Sequence, residues 1–173
     1  MTHSDIFESQ KYFSVIPIHE FSQDTLNLLS EIYASTRMSE LEQTDWTDEQ
    51  KKVFTDHQFY AQHDYYQKIY PDAFSNAIMQ NGKMIGRLYL HLQHPDDVRI
   101  IDIALLPEYR NQAIGTNILK DLQQYCVRLN KTLSIHVEQF NPAKKLYERL
   151  GFTYAETYDQ VYILMKWTPE NLT

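Results

Sequence analysis

The chain has one cysteine, Cys126, in 173 residues, so no internal disulfide can form and a reducing cytoplasm is the expected compartment. No stretch approaches the ~18 consecutive apolar residues of a membrane span, and the start, Met-Thr-His-Ser-Asp, has neither a basic segment nor an apolar signal core. Basic residues are in deficit: 16 Lys and Arg stand against 23 Asp and Glu, a net charge of −7. That balance argues against a broad nucleic-acid footprint, while a local basic site for a small phosphorylated ligand survives it. No Gly-x-x-x-x-Gly-Lys-Ser/Thr occurs among only four glycines, which removes the nucleotide-binding P-loop class. Repeats, low-complexity tracts and linkers are missing too. One domain spanning 1–173 is the expectation from this length, without a membrane or nucleic-acid partner; a homodimer is compatible with it.

What is present reads as alternating elements. Tyr12 to Ile18 has strand character, with Pro17 pushing it to a sheet edge. A helix capped by Asp24 follows, with Leu26, Leu29, Ile32 and Tyr33 at helical spacing, and loosens into a loop over residues 35–46. Thr47 with Gln50 forms a capping box for a second helix reaching about Tyr70. Its many Phe, Tyr, His and Gln residues suit either a thick packing face or a pocket wall, and packing is the simpler reading. Asn81-Gly82 between two strand-like runs signals a hairpin, and residues 98–106, Val-Arg-Ile-Ile-Asp-Ile-Ala-Leu-Leu, form a third strand of near-continuous apolar character. The period then shifts to 3.6 with Ile118, Leu122, Cys126 and Leu129. A strand at 132–137 follows, which the strand–helix–strand crossover makes parallel. Asn141 caps a last helix with Pro142 at its first position and Gly151 as its stop. Two strands, 152–158 and 161–167, close the chain. The expected fold is mixed α/β: a mostly antiparallel sheet of about seven strands with helices on both faces.

Residues 107–117, Pro-Glu-Tyr-Arg-Asn-Gln-Ala-Ile-Gly-Thr-Asn, join a strand to a helix. A helix N-terminus offers unpaired N–H groups and a partial positive charge, so Gln112 to Thr116 could receive an anion, with Arg110 and the side chains of Thr116 or Asn117 in support. An ordinary turn with one glycine has most of the same features. Together with residues 141–152, Asn-Pro-Ala-Lys-Lys-Leu-Tyr-Glu-Arg-Leu-Gly-Phe, the loop resembles the two signature segments of the GNAT superfamily, the acyl-CoA-dependent N-acyltransferases. The family's loop runs Gln/Arg-x-x-Gly-x-Gly/Ala. Arg110 and Gly115 match it, and Ala113 stands where glycine is usual. The alanine would be tolerated if its φ is negative and its methyl group points away from the ligand.

The resemblance implies attack by an amine on the thioester of acetyl-CoA, without a metal. It implies that the pyrophosphate sits on the loop formed by Arg110, Asn111, Gln112, Ala113, Ile114, Gly115 and Thr116. The pantetheine arm would pair with Ala104, Leu105 and Leu106 where strands four and five splay apart, an N–H near Leu105 facing the thioester oxygen. Asn141 would contact the arm or order the helix after it, and Tyr147 would protonate the leaving thiolate. The general base is left open among Asp102, the only charge within residues 100–106, Glu40 in the loop between the first helices, Asp97, and a chain of waters. His136 and Glu138 would flank the cleft. His57, His63, His91 and His94 have no metal-ligand spacing. The acceptor is a small-molecule or peptide amine. The alternative is an acyl-CoA sensor or scaffold of the same fold that does not turn over.

Overall fold

The computed structural model describes residues 6–7, 11–157 and 159–172. The N-terminal pentapeptide and Tyr158, the last residue of an expected strand, lie outside them. The first strand, β1 (Ser14–Pro17), is an edge strand, as Pro17 requires. Helix α1 (Gln23–Leu41) is capped by Ser22, whose hydroxyl accepts from the N–H of Thr25; Asp24, the expected cap, lies in the first turn. The helix also runs through the stretch expected to be loop. Ser35 and Thr36 turn their hydroxyls back onto the carbonyls of Ile32 and Tyr33, both at 2.7 Å, and so remain compatible with helix. Glu40 therefore stands in the last turn of α1 and not in a loop.

Helix α2 (Asp48–Ile69) begins at the expected capping box of Thr47 and Gln50. The hairpin of β2 (Phe74–Gln80) and β3 (Lys83–His91) turns on Asn81 and Gly82, both at positive φ, the geometry that Asn-Gly favours. After β4 (Asp97–Leu105) come α3 (Ile114–Leu129), β5 (Thr132–Glu138), α4 (Lys144–Arg149), β6 (Thr153–Thr157) and β7 (Tyr162–Trp167). The seven strands form one mixed sheet in the order β1-β2-β3-β4-β5-β7-β6, antiparallel throughout except for the β4–β5 pair.

Helices cover both faces. Ile118, Leu119, Leu122 and Cys126 of α3 pack on Val98, Ile100, Leu133 and Ile135 of the sheet, each apolar side chain contributing roughly 1.5–3 kcal/mol on full burial. On the opposite face, Leu29 and Tyr33 of α1 meet Phe59 of α2, and from β3 the side chains of Arg87 and Tyr89 point to this side. The C-terminal helix departs from the expected start. Asn141 caps a tight turn, its side-chain oxygen accepting from Ala143 N–H at 2.9 Å and its carbonyl from Lys144 N–H at 3.0 Å, so regular helix begins only at Lys144. The i→i+3 bonding through Pro142 and Ala143 is the cause.

Candidate active site

The sheet opens in its middle. Pairing between β4 and β5 covers only Asp97–Ile100 against Thr132–Ile135, and beyond that point the two strands diverge. At the same place β4 carries an extra residue: Tyr89 faces Asp102 and Leu90 faces Ile100, leaving Ile101 as a bulge that bends the strand away. The direction of the freed backbone groups follows from the other edge of β4. Leu106 N–H donates to Ile85 carbonyl at 2.9 Å, so Ile85 and Leu106 form a hydrogen-bonded pair. The adjacent pair, Gly86 and Leu105, is then of the non-bonded kind, and so is Leu88 with Ile103. The N–H groups of Ile103 and Leu105 thus point away from β3 and into the slot between β4 and β5. Leu105 carbonyl points there too, and there it accepts from Arg110 Nε at 2.9 Å.

Close approach of β3 is what sets β4 in place. A Cβ added to Gly86 would lie 2.4 Å from Ala104 carbonyl oxygen and 2.8 Å from Leu105 Cδ2, so only glycine fits behind the slot. The sequence reading did not single out this glycine.

The loop leading to α3 differs from expectation at two residues. Ala113 is left-handed, at φ 62 and ψ 4, where a negative φ was expected; the condition under which alanine could replace glycine freely is not met. An L-residue there carries roughly 1–2 kcal/mol of strain. Asn111 is also left-handed, at φ 58, and Gln112 between them is not. Alternation of hand turns successive N–H groups toward one point, the concave nest that receives anions. Among the described residues, the N–H groups of residues 111–116 donate to no protein acceptor, and they lead into and open the N-terminus of α3. The second difference concerns Arg110. Its side chain, expected to lend a cation to this point, folds back instead onto Leu105 carbonyl and onto Ser35 of α1, at 3.4 Å to its carbonyl and 3.3 Å to its hydroxyl. Gly115, by contrast, has room: a Cβ would meet only Leu146 Cδ2, at 3.7 Å.

Tyr147, expected to protonate the leaving thiolate, is buried in the core, its ring 5.6 Å from that of Phe152, while Leu146 is half-buried. The hydroxyl has no protein partner among the described residues. Burial first, and the nearby Asp102 carboxylate second, raise its pKa, which makes it a weaker acid than a free phenol.

Asp102 lies on the α1/α2 side of the fork as an ion pair with Arg87. Arg87 is buried, takes Gln62 as acceptor at 2.8 Å, and has the rings of Tyr33, Phe59 and Tyr89 5.4–5.9 Å from its guanidinium carbon. Tyr66 and Tyr89 belong to the same group, and burial raises both hydroxyls, that of Tyr89 to about 12. Arg87 was not anticipated, although the signal existed: it is the only charge between Met84 and His91, facing a strand in which Asp102 is the only charge within residues 100–106. Glu40 is held by Arg37 at 2.8 Å, and the same arginine reaches Glu138 at the end of β5 at 3.2 Å. Asp97 serves structure, accepting from Thr132 and Ser134 hydroxyls, both at 2.5 Å, at the closed end of the fork. His136 lies beside Arg99, 3.1 Å from its Nη1; burial and that cation lower its pKa. Among the described residues no cluster of His, Cys, Asp and Glu could hold a metal ion, and no helix is long and apolar enough to cross a membrane.

A cavity of about 700 Å³ lies apart from this fork between α1 and α2, with Ser30, Met38, Thr55 and Tyr60 in its walls. It touches the slot's framework only through Ser35. The unpaired backbone groups decide where chemistry belongs, and they lie in the fork.

Comparison with known proteins agrees with this geometry. The model of the acetyltransferase (GNAT) family matches residues 35–152. A putative ribosomal-protein alanine N-acetyltransferase of Bacillus subtilis is 36% identical over 58 residues, which is 32% of this chain and 38% of that protein; the match thus spans well under half of the relative's length. Among solved structures, the fold is shared with the PaiA N-acetyltransferase of Thermoplasma acidophilum in complex with coenzyme A (TM-score 0.64, 15% identity, 91% of this chain and 99% of that one). It is also shared with a GNAT acetyltransferase of Elizabethkingia anophelis with acetyl-CoA bound (TM-score 0.60, 16% identity, 92% and 100%). The ribosomal-protein alanine N-acetyltransferase of Escherichia coli has it as well (TM-score 0.58, 20% identity, 93% and 99%). The family model covers more than half of the chain, from the middle of α1 to the end of α4: the chain belongs to the GNAT acetyltransferase family.

Proposed function

We propose that this enzyme transfers an acetyl group from acetyl-CoA to a primary amine by direct attack. The observation that carries the reading is the run of unpaired N–H groups at residues 111–116, beside a slot whose edge offers two more, those of Ile103 and Leu105. The first set suits a pyrophosphate and the second an extended amide-bearing arm with a carbonyl at its end. Bound there, acetyl-CoA supplies an acetyl group activated as a thioester.

The chain's own residues do the rest. An N–H of β4 steadies the negative charge that develops on the carbonyl oxygen, and being fixed in the sheet it needs no reorganisation to do so. Tyr147 brings a neutral hydroxyl toward the departing sulfur and steadies the leaving thiolate as a hydrogen-bond donor. Asp102 is engaged by Arg87 and Glu40 by Arg37, so neither carboxylate stands free as a base, and the amine's proton leaves through water. The acceptor approaches from the side lined by Tyr33, Arg37, Tyr66 and Tyr162. Names of relatives suggest the α-amine of a protein terminus as one acceptor to screen, beside small amines.

The test follows free thiol while acetyl-CoA is mixed with a panel of amines and alanine-terminated peptides. Thiol release that depends on the amine is the expected result. Tight CoA binding with no such release would replace the transferase by a sensor of acyl-CoA.

A further inference from the structure

Three elements meet over the acceptor side of the slot. Arg37 of α1 forks between Glu40 Oε2 at 2.8 Å and Glu138 Oε1 at 3.2 Å, and Tyr162 of β7 donates its hydroxyl to the same Glu138 oxygen at 3.3 Å. Glu138 ends β5 opposite Tyr162, beyond the point where β5 leaves β4, so the Arg37–Glu138 bridge spans the cleft through which an acceptor reaches the slot. Both partners are partly open to solvent, with side-chain exposures of 26% and 34%, and pairs so exposed are worth only about 0–1 kcal/mol. Arg37 is also incompletely satisfied: its Nε is buried without a partner.

We propose that Glu138 is the carboxylate that receives the ammonium group of the acceptor, and that Arg37 occupies its place while the cleft is empty. This deepens the transferase reading and rests on it. Displacement costs little, because Arg37 keeps Glu40 when it releases Glu138. Tyr162 keeps the Glu138 carboxylate aimed into the cleft during the exchange. The arrangement selects amines that arrive protonated; the bound ammonium then gives its proton to water, and the neutral nitrogen leaves Glu138 to attack the thioester. It excludes neutral alcohols of the same shape, which have no charge with which to displace a guanidinium.

Two substitutions at this one ion pair separate the proposal from a structural bridge, because they should act in opposite directions. Calorimetric titration with 1,5-diaminopentane, with 1,5-pentanediol as the uncharged control, is run on the free and the CoA-loaded protein. Glu138→Gln retains an acceptor for Tyr162 and should weaken diamine binding by roughly 10-fold or more, whereas Arg37→Met removes the competitor and should tighten it by about 3-fold. The diol should not bind, and CoA affinity should be the same in all three proteins. Weakening in both variants, unchanged binding in Glu138→Gln, or no diamine binding by the unsubstituted protein at millimolar concentration each overturns the proposal. Thermal melting checks that the variants fold, and Glu138→Ala replaces the glutamine variant if that one does not. Amine-dependent thiol release is scored separately: its absence, with diamine binding still dependent on Glu138, removes the transferase reading and leaves the anchor standing.

Discussion

The two sides of the fork are made of different material. Toward α3 and α4, the groups that can hold a ligand are backbone: the N–H groups of residues 111–116 and those of Ile103 and Leu105. Toward α1, α2 and β7 they are side chains: two arginines, three carboxylates and a set of tyrosines, joined as Arg87–Asp102 and as Glu40–Arg37–Glu138–Tyr162. Backbone recognition depends on the path of the chain, which sequence controls through a few residues that allow unusual conformations or close approach. Side-chain recognition depends on which residues the sheet happens to bring together from distant positions. Substitutions on the first side should therefore act through shape, and on the second through charge.

The sharpest way to break the backbone side is to push β4 from behind. Gly86→Val places atoms against Ala104 carbonyl, already 2.4 Å from an added Cβ, so the two strands must separate at the slot. Overpacking of this kind typically costs 1–3 kcal/mol, and with backbone as the obstacle a loss of about 3 kcal/mol is expected. That lowers Tm by roughly 6–12 °C in a protein of this size, measured by calorimetry. CoA affinity should fall with it, since the slot-facing N–H groups move. An unchanged Tm would mean that β4 yields easily and that the slot is not set by this contact.

How much of this was legible beforehand follows the same division. The element order, the Asn81-Gly82 turn, the Thr47 capping box and the parallel step from β4 to β5 depend on local patterns, and each was readable. The end of α1 was not, because Ser35 and Thr36 look like loop residues until their hydroxyls are seen bonding back to the helix. Ala113 was misjudged for a related reason: alanine favours helix, yet here it caps the start of α3 one residue before regular helix begins, and the chain enters the helix there through a left-handed residue. On the side-chain half, Asp102 was noticed as a charge in an apolar run and Glu40 for its place between the first helices, yet their partners Arg87 and Arg37 could not be assigned without the sheet register and the packing of α1. Tyr147 was found by motif, but its burial was not, since a six-residue helix offers too little periodicity to fix which face turns inward.

Tyr147 gives the next largest effect. Its raised pKa makes proton donation to a thiolate, whose own reference value is about 8.5, uphill, so the hydroxyl should act more as a hydrogen-bond donor than as a full acid. Tyr147→Phe is expected to lower kcat by about 10-fold, below the roughly 100-fold at which general acid assistance begins and in keeping with loss of a hydrogen bond, with CoA affinity intact. A fall of a thousandfold would show complete proton transfer in the limiting step. No change, with chemistry rate-limiting, would make Tyr147 a core residue only.

Arg110 tests whether the backbone side borrows charge. With Nε and Nη2 committed to Leu105 carbonyl and Ser35, its effect on CoA should run through the position of β4 and α1. Arg110→Ala should weaken CoA by about 3- to 10-fold, since the bonds it removes reach CoA only through the placement of β4 and α1, and by the same factor at low and high salt. A loss that shrinks as salt is raised would instead place the guanidinium beside the phosphates.

The smallest expected change in stability is at Gly115, and it separates what the protein needs from what the ligand needs. Unlike Gly86, Gly115 lies within the first turn of a helix, has no positive φ, and faces open space apart from Leu146 Cδ2 at 3.7 Å. Nothing in the folded chain demands glycine there, and alanine should stabilise the helix by about 0.5–1 kcal/mol. If the N–H of residue 115 is approached closely by a phosphate oxygen, the added methyl group crowds that approach. Gly115→Ala is therefore expected to raise Tm by roughly 1–4 °C while weakening CoA at least several-fold. Ala113→Gly is the counterpart: it relieves left-handed strain of about 1 kcal/mol and widens the nest, so CoA should bind as well or better. A Gly115→Ala protein that gains stability and keeps its full affinity would move the pyrophosphate off the first turn of α3. The N–H groups of Asn111, Gln112 and Ala113 would then be left as its seat.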